Sequence, residues 1–448
     1  MASENKMGTM PEGRLIVTMS FPIMLSMLVQ ALYNIVDSAF VARISEDALT
    51  AVSLAFPVQL LMIAVATGTG VGVNALLSRR LGQKKQEEAN AVAANGVFLS
   101  VCFWLVFAVL GLLFGRSFIA LFTDVPAVID MGTSYVTVVT VASCGVFLLF
   151  VAERLMQATG NTVYHMVTQL IGAVLNCILD PIMIFGLLGF PALGTTGAAL
   201  ATVLSQIIAM SIGFFINVRF NHDVRLHLRG FRPNSGILGE IVRIGLPAAV
   251  QQSLLSVLTV GLNRILMPFS QTAVSFYGVY YKLQNFLFMP VYGLNNALIP
   301  MIGYNFGAKN RRRIERITRY ALYLAVGIMA VGTVLFELIS VPLLRLFDAS
   351  DAMLALGVPG IRIISVSFCF AGASVILSGC MQGLGRGNES LWVALLRQLI
   401  VILPAAVLLS RLSLTAVWLA FPLSEAVGLA AAVLLHRRVT RRLLEPLE

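Results

Sequence analysis

Two carboxylates, Asp37 and Asp180, lie in stretches that are otherwise apolar: Asp37 within Pro22–Ala42, Asp180 within Asn176-Cys-Ile-Leu-Asp180-Pro181. An acid inside a membrane-spanning helix costs roughly 2.5–3.5 kcal/mol on insertion scales, so its default reading is functional. On helices, Asn176 comes one turn from Asp180 on the same face, and Tyr33 one turn from Asp37. At the helical rise per residue, Asp37, Asp180, Thr202 and Tyr135 all fall about 8–12 Å below one membrane surface. Two carboxylates desolvated together cannot both stay ionised cheaply, so such a pair holds a proton or binds a cation. Asp37, Asp180, Asn176, Thr202 and Tyr135 are therefore the candidate site for H⁺, or for Na⁺ at the two acids. Pro181 removes the hydrogen bond to the Cys177 carbonyl and frees a backbone oxygen beside Asp180. Pro22 does the same for Thr18 and gives its helix a place to bend, although a proline there also suits the first turn of a span that starts later. The plainer alternative is a pair of acids capped by nearby donors, acting as glue between helices.

These residues need a frame, and the whole chain is built as one. Of 448 residues, 58% are hydrophobic and 12% are charged, with mean hydropathy +0.88. A soluble chain would carry about twice that charged fraction, so the class is a multi-span membrane protein. Apolar runs long enough to cross a bilayer predict twelve helices near 15–42, 49–78, 90–114, 128–150, 163–187, 194–217, 237–266, 273–303, 315–341, 354–378, 389–409 and 414–436. Met1–Gly13 lacks the pattern of a cleaved signal, so the first span is expected to stay in place. Alternate loops divide by charge: about 22 of the 31 basic residues fall on one side with both termini, among them Arg79, Arg80, Arg219, Arg225, Arg229 and Arg311–Arg313. The opposite side holds Arg43, Arg116, Arg345 and Arg411. Positive-inside bias then puts both termini in the cytoplasm and accounts for the net charge of +10 without nucleic acid. The five cysteines sit in apolar runs without metal spacing and read as core residues.

A shift of about 225 positions superposes Pro22 on Pro247, Ala48 on Ala273, Lys84 on Lys309, Gln157 on Gln382 and Gly160 on Gly385. Internal repeats of this kind characterise secondary transporters. An even number of spans per half makes the repeat parallel. The expected organisation is a six-helix lobe over 1–217, a basic cytoplasmic linker over 218–236 containing Gly230, and a second six-helix lobe over 237–448. The repeat also supplies a control. The mates of Asp37, Asn176, Asp180, Thr202 and Tyr135 are Leu262, Val401, Ala405, Val427 and Gly360, so the polar set occurs in one copy only.

The second half carries Arg264, Lys282, Glu337, Arg362, Arg397 and Glu425 instead. Lys282 and Glu425 lie too deep to snorkel and are expected to pair with each other or with Arg397. Tyr33 and Asn34, with Lys282, Arg397 and Glu425, are the candidates for substrate contact or for a C-half network. No enzyme signature appears: His165, His222, His227 and His436 lack metal spacing, and Gly68-Thr-Gly70-Val-Gly72 lacks the context of a phosphate loop and suits close helix packing. With no nucleotide motif, the expected drive is an ion gradient.

Tyr33-Asn-Ile-Val-Asp37, Gln157-Ala-Thr-Gly160-Asn161, Asn176-Cys-Ile-Leu-Asp180-Pro181 and Gly197-Ala-Ala-Leu-Ala-Thr202 resemble the multidrug and toxic compound extrusion (MATE) transporters, in particular their prokaryotic DinF-like branch. The resemblance implies an all-α integral membrane fold, twelve transmembrane helices in two parallel-repeat six-helix bundles around a central cleft. It implies export of organic cations in exchange for H⁺ or Na⁺ by alternating access, with Asp37, Asn176, Asp180, Thr202 and Tyr135 as the N-lobe cation site and Pro22 as the bend. Other branches carry an acid shortly after the second proline, where Pro247 is here followed by Gln251 and Gln252. The expected protein is a monomer of the prokaryotic inner membrane that contacts lipid and small cationic amphipathic substrates, with no cofactor beyond the coupling ion. Two alternatives stand beside it. A flippase or exporter of lipid-linked saccharides would want a cationic cleft, for which Arg264, Lys282 and Arg397 are the candidates. A membrane lipid transferase would need acidic or histidine motifs in sizeable loops, and these loops are short.

Overall fold

The structure, a computed structural model, describes residues 5–226 and 231–447; His227, Arg229 and Gly230 of the basic connector lie outside them. Among the described residues, ten helices are each long and apolar enough to cross a membrane: α1 Glu12–Ala42, α2 Glu46–Gly82, α3 Gln86–Ala120, α5 Thr162–Phe185, α6 Gly194–Phe220, α7 Ser235–Leu266, α8 Gln271–Gly307, α9 Arg311–Leu338, α11 Gly387–Ser410 and α12 Leu414–Leu443. Two bent pairs complete the twelve: α4, Pro126–Val141 with Cys144–Ala158 at 42°, and α10, Asp351–Ser365 with Phe368–Gly383 at 47°. Each apolar run became a helix because a chain in lipid must satisfy its backbone within the segment. Large apolar side chains such as Leu112, Leu113 and Leu338 stay exposed, as lipid-facing positions require.

Local chemistry sets the ends. The Ser45 hydroxyl accepts from the Ala48 amide at 3.0 Å to start α2, and the Ser270 hydroxyl does the same for Ala273, also at 3.0 Å, at α8. Glu46 and Asp47 open α2 and Arg79 and Arg80 close it, each sign matching the helix dipole. The repeat extends to backbone conformation. Lys84 and Lys309 both take positive φ (60° and 56°), as do Gly160 and Gly385 (85° and 77°). Pro22 lies well inside α1, which already begins at Glu12, so it is an interior proline and not a first-turn one. Likewise α5 runs through Pro181 to Phe185 without interruption.

The chain condenses into two compact units, Leu25–Ala249 and Met1–Met24 with Val250–Glu448. This division differs from the linker-based one by two half-helices, for packing reasons. Within the first unit, α7 lies so close to α2 that a Cβ on Gly72 would run into the Ile241 carbonyl, and one on Gly245 into that of Gly68. Hence the glycine run Gly68–Gly72 packs helices. Within the second unit, the amino-terminal segment is held by the Met7 carbonyl, which accepts from Asn305 Nδ2 and Arg313 Nε, both at 3.1 Å. Arg313 also donates to the Met10 carbonyl, and Glu12 faces Arg313 and Arg316 at 3.7 Å. Met24 backs onto Gly293 of α8.

Candidate functional site

Within Leu25–Ala249, α1, α4, α5 and α6 bring the polar set together. Asp180 on α5 is fully buried, and Asn176, one turn away on the same helix, is buried with it. Asn176 Nδ2 donates to Asp180 Oδ1 and to Thr202 Oγ1 on α6, each at 3.3 Å, and Thr202 Oγ1 donates to the Ala198 carbonyl at 3.0 Å. The Asp37 carboxyl on α1 comes within hydrogen-bonding reach of Asp180. Asp37 Oδ1 and Asp180 Oδ2 are buried without a donor. Two ionised carboxylates have no hydrogen between them, so their approach becomes a hydrogen bond only when one carries a proton. Tyr33 and Tyr135 stand within electrostatic range of both acids.

Asp37 also lines a cavity of about 190 Å³ with Ser38, Val41, Leu49, Val52, Ser53 and Phe56. The Tyr135 hydroxyl accepts from Gln59 Nε2 of α2 at 3.1 Å. Gln59 escaped the sequence reading; its signal was a lone amide just after Pro57 in an apolar helix. The oxygens gathered here are two carboxylates, a hydroxyl and the Asn176 Oδ1, which has no partner of its own. Such a hard-oxygen set suits a proton or a hard cation. Among the described residues there is no group of three or more His, Cys, Asp or Glu side chains arranged for a metal. Asn34, on the same helix as Asp37, is exposed.

In the unit containing Val250–Glu448 the equivalent ground is apolar. Leu262, at the Asp37 position, is fully buried. A side chain at Gly360, the mate of Tyr135, would meet Phe276 and the Trp418 indole; those two rings pack edge-to-face at 5.1 Å. The charged network resolves into one partnership. Arg397 donates from Nε and Nη2 to the Glu425 carboxylate at 2.7 and 2.9 Å, a bidentate pair. Lys282 is exposed and stays outside that pair, against the expectation that depth would force it inward. Gly428 makes room for the Arg397 stem. Arg397 itself sits in a five-residue wide turn, Leu396–Ile400.

The MatE family model matches residues 22–182 and 247–408, the two copies of the repeat. The multidrug export protein MepA of Staphylococcus aureus (strain MRSA252) is 26% identical over 429 residues, covering 95% of this chain and 93% of that protein. The multidrug export protein MepA of Staphylococcus haemolyticus (strain JCSC1435) is 26% identical over 428 residues with the same coverage. Among solved structures, an outward-facing multidrug resistance MATE family transporter of the MOP superfamily superposes with TM-score 0.92 at 25% identity, over 98% of this chain and 99% of that one. A MOP superfamily transporter from Pyrococcus furiosus superposes with TM-score 0.91 at 25% identity, over 98% of each chain; its binding pocket is described as reversed in polarity, suggesting a different function.

Proposed function

The chain belongs to the MatE family, and on that premise we propose that it is a secondary efflux transporter, exporting organic cations in exchange for H⁺ or Na⁺. The observation that carries this reading is the convergence of the buried Asp180 and Asn176 with the half-buried Asp37 and Thr202, with no polar counterpart in the second copy. A proton or Na⁺ arriving there cancels charge that the buried acids otherwise hold at a cost. Loss of that ion on the other side restores the charge, so the site distinguishes two states of the carrier. In this scheme α1 bends at Pro22, where the hydrogen bond to the Thr18 carbonyl is absent, and the halves of the protein alternate their access. Exchange of one ion for one monovalent organic cation moves no net charge and is driven by the ion's concentration gradient. The membrane potential adds about 2.3 kcal/mol per 100 mV, roughly 50-fold, for each charge imported beyond those exported. The lipid-linked saccharide alternative fits less well, because Arg397 is already neutralised by Glu425 and is not a free cation for pyrophosphate.

The test is efflux from proteoliposomes, with fluorescent organic cations as reporters and pH and sodium gradients imposed separately. Export driven by one gradient in the wild type, and lost in Asp37→Asn with the protein still folded, is the expected result. Wild-type rates from Asp37→Asn would end the proposal.

A further inference from the structure

The acid pair leaves a second polar cluster of the same unit unexplained. Toward the opposite end of α5, His165 faces Glu153 and Gln157 of α4, and all three are buried. Arg154 Nη1 donates to Gln157 Oε1 at 2.8 Å. Because arginine only donates, that contact fixes which end of the Gln157 amide is oxygen. Gln157 Nε2 is then the donor toward His165 Nε2, 3.2 Å away. The neutral imidazole therefore carries its hydrogen on Nδ1, turned to Glu153 Oε2 at 3.7 Å. A proton added at Nε2 would set two donors against each other, so Glu153 is the group in this cluster able to accept one. The charges acting on it come from Arg154 and from His165 when protonated; α2 and α6 contribute the amides of Asn74 and Asn217, and no charge of α3 acts on it among the described residues.

Between the two clusters, α5 keeps a polar line. His165, Gln169, Asn176 and Asp180 follow one another at spacings that hold them on a single face. The ends are about 22 Å apart along the axis. Each of the four has a buried atom without a partner: His165 Nδ1, Gln169 Oε1, Asn176 Oδ1 and Asp180 Oδ2. Buried polar atoms are satisfied by protein or by ordered water, and a file of them down one face is not what packing alone produces. Gln169 Nε2 is tied to Gln30 of α1 at 2.5 Å, which leaves its buried oxygen as the end of the amide without a donor. The gap between Gln169 and Asn176 is filled by Gly172 and Ala173, the smallest side chains available.

We propose that this face of α5 is a proton route through the unit, running from the Asp37/Asp180 pair past Asn176 and Gln169 to Glu153 beside His165. The amides do not ionise; their oxygens hold water, and the proton passes from an acid of the pair along that water to the Glu153 carboxylate. The proposal rests on the ion-coupling reading above and takes the proton as the ion.

Two measurements on the full-length protein in lipid vesicles test it. In an Asp37→Asn/Asp180→Asn background, infrared difference spectra on acidification should keep a buried carboxyl band that Glu153→Gln removes and His165→Gln shifts. Absence of that band overturns the proposal. In ethidium/H⁺ exchange, Gln169→Leu and Glu153→Gln should each slow turnover about 10²-fold, the lower range for a positioned proton-transfer group, with ethidium Kd unchanged and Glu153→Asp partly active. Gln169→Met replaces Gln169→Leu if binding shows that the latter is misfolded. Wild-type turnover in Gln169→Leu with Asp37→Asn inactive overturns the route and spares the coupling reading. Wild-type turnover in Asp37→Asn overturns both.

Discussion

At the scale of single residues, the site is a contest between desolvation and pairing. Asp180 is fully buried and receives one amide hydrogen, from Asn176. One neutral donor does not compensate a buried charge, which is the reason the proposed scheme places a proton or cation beside it. Replacing Asn176 by Leu removes the donor shared by Asp180 and Thr202. We expect coupled transport to fall while the helix stays in place, measured as gradient-driven efflux against folded yield. Thr202→Val should be milder, since it deletes one acceptor for Asn176 and a local bond to the Ala198 carbonyl while Asn176 still serves Asp180. Gln59→Leu strips the Tyr135 hydroxyl of its donor, and a lost buried hydrogen bond of this kind should cost about 1–3 kcal/mol, read as a lower midpoint of thermal unfolding in detergent. Asp37, Asp180, Asn176 and Thr202 were legible from sequence because acids and amides stand out in apolar helices. Of the pairings open to Glu425, the structure takes Arg397 and leaves Lys282 outside, because the guanidinium fork occupies both carboxylate oxygens.

At the scale of helices, glycines and prolines decide how closely and how freely elements meet. Gly72 of α2 and Gly245 of α7 each lie against a backbone carbonyl of the other helix, so any side chain must push the helices apart. Gly72→Leu should destabilise the protein by about 1–3 kcal/mol or more, seen as loss of monodisperse protein on gel filtration. Gly428→Ala pushes into the Arg397 stem and should loosen its bidentate contact with Glu425. The expected outcome is a lower unfolding temperature that replacing both members of the pair, Arg397→Met with Glu425→Leu, partly restores, whereas Arg397→Met alone lowers it further by stranding the Glu425 carboxylate. Pro22→Ala returns a backbone donor to the middle of α1; the fold should persist while turnover slows, as tested by parallel binding and efflux assays. The motif Gly68–Gly72 was readable as a packing device, but its partner was not, because no local pattern states which distant helix will approach.

At the scale of the whole molecule, two copies of one arrangement have taken different chemistry. The bends of α4 and α10, the positive-φ residues Lys84 and Lys309, and the capping serines Ser45 and Ser270 all recur. Where one copy has Asp37 and Tyr135, the other has a buried leucine and a ring pair over Gly360. In the proposed scheme the Asp37/Asp180 pair sets the coupling, and an imposed potential should then change efflux only to the extent that the ions carried there outnumber the charges of the exported substrate. The loop charges further predict that reporters fused at either terminus face the cytoplasm, checked with a pair of reporters active on opposite sides of the membrane.

The sequence by itself determined the helices and their number, because lipid obliges each apolar run to close its own hydrogen bonds, but not the bends of α4 and α10 or the last turns of α3, α4 and α12, which run six to eight residues beyond the apolar stretches. It also determined the duplication and singled out the four polar residues that the structure brings together, since polar groups in such helices are costly enough to be conspicuous. Only the tertiary structure decided that Arg397 takes Glu425, that Gln59 holds Tyr135, that half of α1 and half of α7 pack away from their own repeats, and that His165 and Glu153 meet. Those outcomes depend on which helix faces come together, and that is settled by contacts between residues far apart in the chain.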